Sequence, residues 1–156
     1  MDSLDYRILD MLQRDGRATQ LEISRAVGLS QPAVAERIRK LEDRGVITGY
    51  TARVDASKLG KDITAFIGVN IEHPKYFEGF AKKVMALPEV LEAHRVAGQD
   101  SYVLKIKTAN TRSLDQLLVD TLRTISGVTG THTTIVLTSI KEETLVSVPP
   151  EQLKGD

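Results

Sequence analysis

Residues 19–45, TQLEISRAVGLSQPAVAERIRKLEDRG, constrain the fold of this chain more than any other stretch. Thr19-Gln20-Leu21-Glu22 is a capping box. The Thr hydroxyl can accept from the backbone N–H three residues on, and the Glu can reach back to the cap. Leu21, Ile23, Ala26 and Val27 supply apolar surface, and Gly28 suits the left-handed position that ends a helix. Leu29 anchors the turn, Ser30 caps the next helix, and Pro32 fits its first turn. Val34, Ile38 and Leu41 then share one face until Gly45 stops the helix. Two short capped helices joined by a tight turn have the layout of a helix-turn-helix, whose second helix enters the DNA major groove. An amphipathic helix over residues 4–15 precedes them, with Leu4, Ile8, Leu9 and Leu12 on one stripe, Asp2 or Ser3 at its cap and Gly16 at its end. Three such helices can form their own small core.

Opposite the Val34 stripe lie Pro32, Glu36, Arg39, Lys40 and Asp43, flanked by Arg37 and Arg44. The N-terminal half of a docked second helix meets base edges. There Gln31 can address adenine and Arg37 guanine, because both side chains offer bidentate geometry. Lys40 and Arg44 suit phosphates. Glu36 either accepts from cytosine N4 or repels a phosphate. The candidate DNA-facing set is Ser30, Gln31, Ala33, Glu36, Arg37, Arg39, Lys40 and Arg44. A merely solvated face is the competing reading, since acids interleave with the bases. The turn grammar favours DNA.

The 21 basic and 21 acidic residues cancel, and residues 1–60 carry ten Lys/Arg against nine Asp/Glu. Long-range attraction for phosphate is therefore weak, and binding should fade quickly with salt. The absence of cysteine excludes disulfides and thiolate metal sites and fits a reducing cytoplasm. His94 and His132 are expected to pack or hydrogen-bond on a sheet rather than bind metal. No run of 18 apolar residues suggests a membrane span, and the acidic start does not read as a signal peptide. No serine-histidine-acid set, metal cluster or phosphate loop stands out, so neither an enzyme nor a cofactor is expected.

Residues 46–54, VITGYTARV, are β-rich, and the turn-rich stretch 55–62 marks a domain boundary. Beyond it, residues 64–72 read as a strand, 75–87 as a helix, 90–97 and 102–107 as strands around a turn at 98–101, 114–125 as a helix and 131–140 as the last strand. The order βαββαβ is the ferredoxin-like arrangement, an antiparallel sheet with both helices on one face. Its other face is left without cover within the chain, which points to a homodimer through that face and to two reading heads on two half-sites. The expected division is residues 1–48 for DNA binding, 49–62 as linker, 63–145 as the ferredoxin-like domain and 146–156 as a tail with a frayed end.

Residues 4–19 (LDYRILDMLQRDGRAT), 29–55 (LSQPAVAERIRKLEDRGVITGYTARVD), 96–107 (VAGQDSYVLKIK) and 128–141 (VTGTHTTIVLTSIK) together resemble the Lrp/AsnC, or feast/famine, transcription regulators. The resemblance covers nearly the whole chain. It implies an α+β protein: a winged-type helix-turn-helix followed by a ferredoxin-like regulatory domain. It also implies homodimers assembling into tetramers or octamers, double-stranded DNA and an amino-acid effector as partners, and a cytoplasmic, nucleoid-associated location. The effector pocket it implies is walled by Gly98, Gln99, Asp100, Ser101 and Tyr102 and by Thr131, His132, Thr133 and Thr134. Ser101 stands where a common family pattern has Asp, so either the acid that meets an α-amino group is missing here or Asp100 serves instead. Read without the resemblance, Gly98 permits backbone approach, Asp100 can pair an ammonium and the Thr hydroxyls can bind a carboxylate. An ordinary hairpin turn before a β-branched strand explains the same residues. An architectural DNA-bending protein without an effector is the alternative function.

Overall fold

The computed structural model describes residues 1–153 and divides into two compact units. One is Met1–Arg53 together with the segment from Lys141, and the other is Val54–Ile140.

The N-terminal unit opens with three helices, α1 (Ser3–Arg14), α2 (Gln20–Val27) and α3 (Gln31–Asp43). Each starts where a side chain closes the orphan amides of its first turn. Asp2 with Asp5, and Thr19 with Glu22, form reciprocal capping boxes, and Ser30 Oγ accepts from the Ala33 N–H at 3.3 Å. Gly28, at φ +73°, ends α2 in the left-handed region and sets up the turn into α3. Ile8, Ile23, Val27 and Val34 form the buried centre, with Leu4, Met11, Leu12, Leu29 and Ile38 packed around it. Arg7 ties α1 to α2 by donating to the Ala26 carbonyl at the last turn. Leu21 and Ala26, read from the sequence as apolar surface of α2, are exposed.

Residues 46–54 form no strand. Within them Tyr50 donates its hydroxyl to Glu42 Oε1 of α3 at 3.0 Å. β-Branched composition alone does not make a strand without a paired partner. The C-terminal segment also differs from a frayed end. Gln13 Nε2 donates to the Val146 carbonyl (3.1 Å), and the Val146 N–H donates to Gln13 Oε1 (2.8 Å). A short helix, α6 (Pro150–Leu153), follows. The remainder of the tail lies outside the described residues.

The second unit holds β1 (Ile63–Ile71), α4 (Phe77–Met85), β2 (Val90–Arg95), β3 (Tyr102–Thr108), α5 (Thr111–Gln116) and β4 (Val128–Ile135). The sheet order is β2-β3-β1-β4, antiparallel throughout. This is the βαββαβ arrangement expected from the sequence. Alternation along the central strands sends Ala65, Ile67 and Val69 of β1, and Tyr102, Leu104 and Ile106 of β3, to the helix side. There they bury against Phe80 and Val84 of α4 and against Leu114, Leu117, Leu122 and Ile125. Side chains of this size contribute about 1.5–3 kcal/mol each on full burial.

The second helical stretch departs from the expected single helix over 114–125. It begins earlier, because Asn110 caps it with Ser113. After α5 the chain makes a π turn over Leu117–Thr121 and a 3₁₀ turn over Leu122–Thr124. The buried leucines explain the π turn. Leu117 and Leu122 are five residues apart, more than an α-helical turn allows on one face, and an i→i+5 bond from the Leu122 N–H to the Leu117 carbonyl absorbs the extra residue. β4 begins at Val128 and ends at Ile135, so residues 136–140, read as strand, lie beyond it.

Candidate nucleic-acid interface and effector turn

The outward face of α3 carries the residues that its sequence nominates, but their charges are largely engaged. Arg39 donates to both carboxylate oxygens of Glu36 (2.8 and 3.0 Å from Nη2) and to Asp43 at 3.1 Å. Lys40 Nζ sits 3.6 Å from Glu36. The Arg39 guanidinium is the main cause of a Glu36 pKa below the ordinary carboxylate range. Ser30 is engaged as a cap, Gln31 is exposed and Ala33 is half-buried. Arg44 ends the helix, exposed and without an ion pair among the described residues.

Arg37, expected to address guanine, is the most deeply engaged of these side chains. Its Nη1 donates to Asp2 Oδ1 and Oδ2 (3.0 and 2.8 Å) and to Asp5 Oδ1 (2.6 Å). The side chain is only 29% exposed, and it ties the middle of α3 to the first turn of α1. The backbone N–H of Asp5, and then Arg37, hold the Asp2 carboxyl below its ordinary range. A cleft of about 310 Å³ runs beside it, lined by Asp5, Ala33, Glu36, Arg37, Lys40, Leu41 and Arg44. The sequence brings Asp2 forward only as a cap of the first helix, and Asp5 in no role. The spacing between chain start and α3 carries no signal that they would meet Arg37.

In the second unit the turn between β2 and β3 folds back over the sheet face away from the helices. Asp100 Oδ1 accepts from Asn70 Nδ2 at 3.3 Å and lies 3.1 Å from His132 Nδ1. Its carboxylate occupies the space above Gly68, where an added Cβ would come 2.2 Å from Oδ2. Ser101 is committed to the fold: its N–H donates to the Val69 carbonyl (2.9 Å), and its Oγ accepts from the Ile71 N–H (3.1 Å). Gly98 and Gln99 are exposed at the tip.

The remaining candidates are spread over both faces. Tyr102 points into the core, edge-on to Phe77 at 5.6 Å and tilted on Phe80 at 4.8 Å. Register places Thr131 and Thr133 opposite Val69 and Ile67 on the helix side, and His132 and Thr134 opposite Gly68 and Phe66 on the other. Thr131 Oγ1 accepts from Arg123 Nε at 3.1 Å. The structure thus brings Asp100 and His132 together and keeps Tyr102, Thr131 and Thr133 away from them. Asn70 and Gly68 join the cluster unannounced. A glycine inside a strand is the one sequence signal that could have marked a close approach. Among the described residues, no group of three His, Asp or Glu side chains could hold a metal ion, and no helix is long and apolar enough to cross a membrane.

A capped helix-turn-helix in one unit and a four-stranded βαββαβ sheet in the other define a DNA-binding regulator with a ligand-binding domain. Comparison with known proteins agrees unit by unit: residues 1–48 match the winged helix-turn-helix DNA-binding model, and residues 64–146 match the Lrp/AsnC ligand binding domain. The chain belongs to the Lrp/AsnC family of transcription regulators. It is 45% identical to the HTH-type transcriptional regulator YezC of Bacillus subtilis, over 89% of this chain and 94% of that one. It is 36% identical to the leucine-responsive regulatory protein of Escherichia coli, over 91% and 88%. A transcriptional regulator of Neisseria meningitidis, solved in complex with L-Met, superposes with a TM-score of 0.91 at 32% identity, over 99% of each chain.

Proposed function

We propose that this regulator binds double-stranded DNA sequence-selectively through α3, dimerises through the sheet face away from the helices, and senses an amino acid at the Asp100 turn. The capped α2–α3 pair carries the first part. It presents Gln31 at the start of α3 and Lys40 and Arg44 further along, an order that suits base edges and then phosphates. The dimer rests on the far sheet face. Phe66, 41% exposed, and Val103 lie there on the two central strands, with Glu92, His94, Lys105 and Thr134 around them. An apolar centre with a polar rim is the usual anatomy of an interface. Further assembly to tetramers or octamers follows the family pattern, as does a cytoplasmic, nucleoid-associated location. For the effector, Asp100 offers a half-buried carboxylate to an ammonium group, and the Neisseria relative binds L-Met.

The test combines two titrations. Replacing Lys40 and Arg44 by Ala should lower affinity for a selected duplex at least tenfold with the thermal melt unchanged. Calorimetry across the amino acids should find one that binds the wild type and fails to bind Asp100→Asn. Unchanged DNA binding, or no amino acid binding, would count against the respective half. The second result would favour the architectural alternative, which the engagement of the Ser101 hydroxyl by the β1 backbone supports.

A further inference from the structure

We infer that Asp2 and Asp5 make Arg37 a selectivity device: they let it contribute at a matched base while cancelling its attraction for phosphate in general. The inference rests on reading α3 as the DNA-facing helix, and the observation behind it is the geometry of one guanidinium. All three hydrogen bonds of Arg37 leave from Nη1, and both Nη1 protons are taken by carboxylates. A guanidinium has five N–H donors, so the edge formed by Nη2 and Nε keeps three. That edge is itself a bidentate fork able to meet guanine O6 and N7. Arg37 lines the cleft on α3 together with Lys40 and Arg44, so the residue borders the face on which the DNA contacts are placed.

The charge balance sets the consequence. Arg37 with Asp2 and Asp5 forms a cluster of formal charge −1 beside the middle of α3. A phosphate approaching Arg37 meets two anions already seated and gains little. A guanine offers neutral acceptors to the free fork without breaking either ion pair. Wild-type Arg37 therefore adds to binding at a matched site and adds almost nothing elsewhere. Removing one carboxylate charge brings the cluster from −1 to neutral and lowers the repulsion a phosphate meets at Arg37, which raises affinity for all DNA and narrows the difference between right and wrong sequences.

Asp2→Asn and Asp5→Asn test this separately in the full-length protein. Each amide keeps an acceptor oxygen for the α1 cap, and Asn is a good N-cap. Binding to the selected duplex and to a scrambled duplex is followed by fluorescence anisotropy at about 50 and about 200 mM salt, conditions between which phosphate contacts separate. Expected for each variant are a several-fold gain on the scrambled duplex and a steeper salt dependence, by at most about 0.9 in log–log slope. The ratio of selected to scrambled affinity should fall. Lys40→Ala runs alongside. If it weakens both duplexes while either folded Asn variant keeps the wild-type ratio and slope, the inference is wrong and the reading of α3 stands. If Lys40→Ala changes nothing, the reading of α3 fails and the inference with it.

Discussion

Gly68 shows how much one missing side chain can hold in place. The Asp100 carboxylate fills the position of its absent Cβ, and from there accepts from Asn70 and pairs with His132. Gly68→Ala must push that carboxylate aside, because its Oδ2 lies 2.2 Å from the new carbon. Overpacking of this kind costs about 1–3 kcal/mol. We expect that loss in urea denaturation, together with loss of amino-acid binding in calorimetry. Gly130→Ala, in β4, meets nothing within 4 Å and should leave both unchanged. Equal behaviour of the two variants would show that Asp100 is not held as described. At this scale the sequence was half legible. Asp100 and His132 stood out as polar residues in plausible places, whereas Asn70 reached them only through the β1–β4 register, and Tyr102 read the same whether it pointed outward or into the core. The partners of Arg37 were illegible for a similar reason. Helical spacing puts it on the flank of α3, and nothing local says that Asp2 and Asp5 of another helix will claim it.

Elements were more legible where their ends carry chemistry. The boxes at Thr19 and Glu22, the Ser30 cap and the Gly28 stop placed α2 and α3 to within a residue, because each closes orphan amides or a left-handed turn locally. The helix after β3 starts ahead of its apolar run, at the Asn110 cap, and its π turn follows from a five-residue leucine spacing that only packing reveals. Two outcomes test that account. Deleting exposed Val119 brings the two leucines to α-helical spacing and should leave a folded protein with a similar melting temperature. Leu122→Ala should cost about 2–5 kcal/mol. A deletion as damaging as the truncation would refute the spacing argument. The caps also fix an acid response. Asp2 and Glu22 are held low chiefly by the backbone N–H groups of Asp5 and Thr19, and Asp10 and Glu36 by Arg14 and Arg39. Such carboxylates take up protons more readily in the unfolded chain. Their contribution is complete above about pH 4.5 and is lost as pH falls through the lowered folded values. Helical melts followed by circular dichroism should therefore shift down in temperature below about pH 4.5, and less so for Glu22→Gln. A wild-type melt that stays flat through that range would contradict it.

At the scale of the whole molecule, two units of different architecture each leave one face without an internal partner. The βαββαβ order was legible because strand and helix periods alternate cleanly, so the uncovered sheet face could be foreseen. The return of the chain to α1 through Gln13 and Val146 could not, since a single side-chain amide bonding an extended backbone leaves no periodic trace. If the uncovered face joins two copies, Phe66→Glu should convert the dimer to monomer in sedimentation equilibrium while the circular dichroism spectrum is kept. An unchanged mass would place the interface elsewhere. Monomers would also lose the paired reading heads that give two half-sites their spacing. The most direct measurement is selection from a random-sequence duplex pool by the wild-type protein and by a variant with Gln31 and Lys40 both replaced by Ala. The wild type should enrich a two-half-site motif with centres a whole number of helical turns apart, and the variant should not. A pool that stays random, or the same motif recovered by the variant, would contradict α3 as the element that reads DNA.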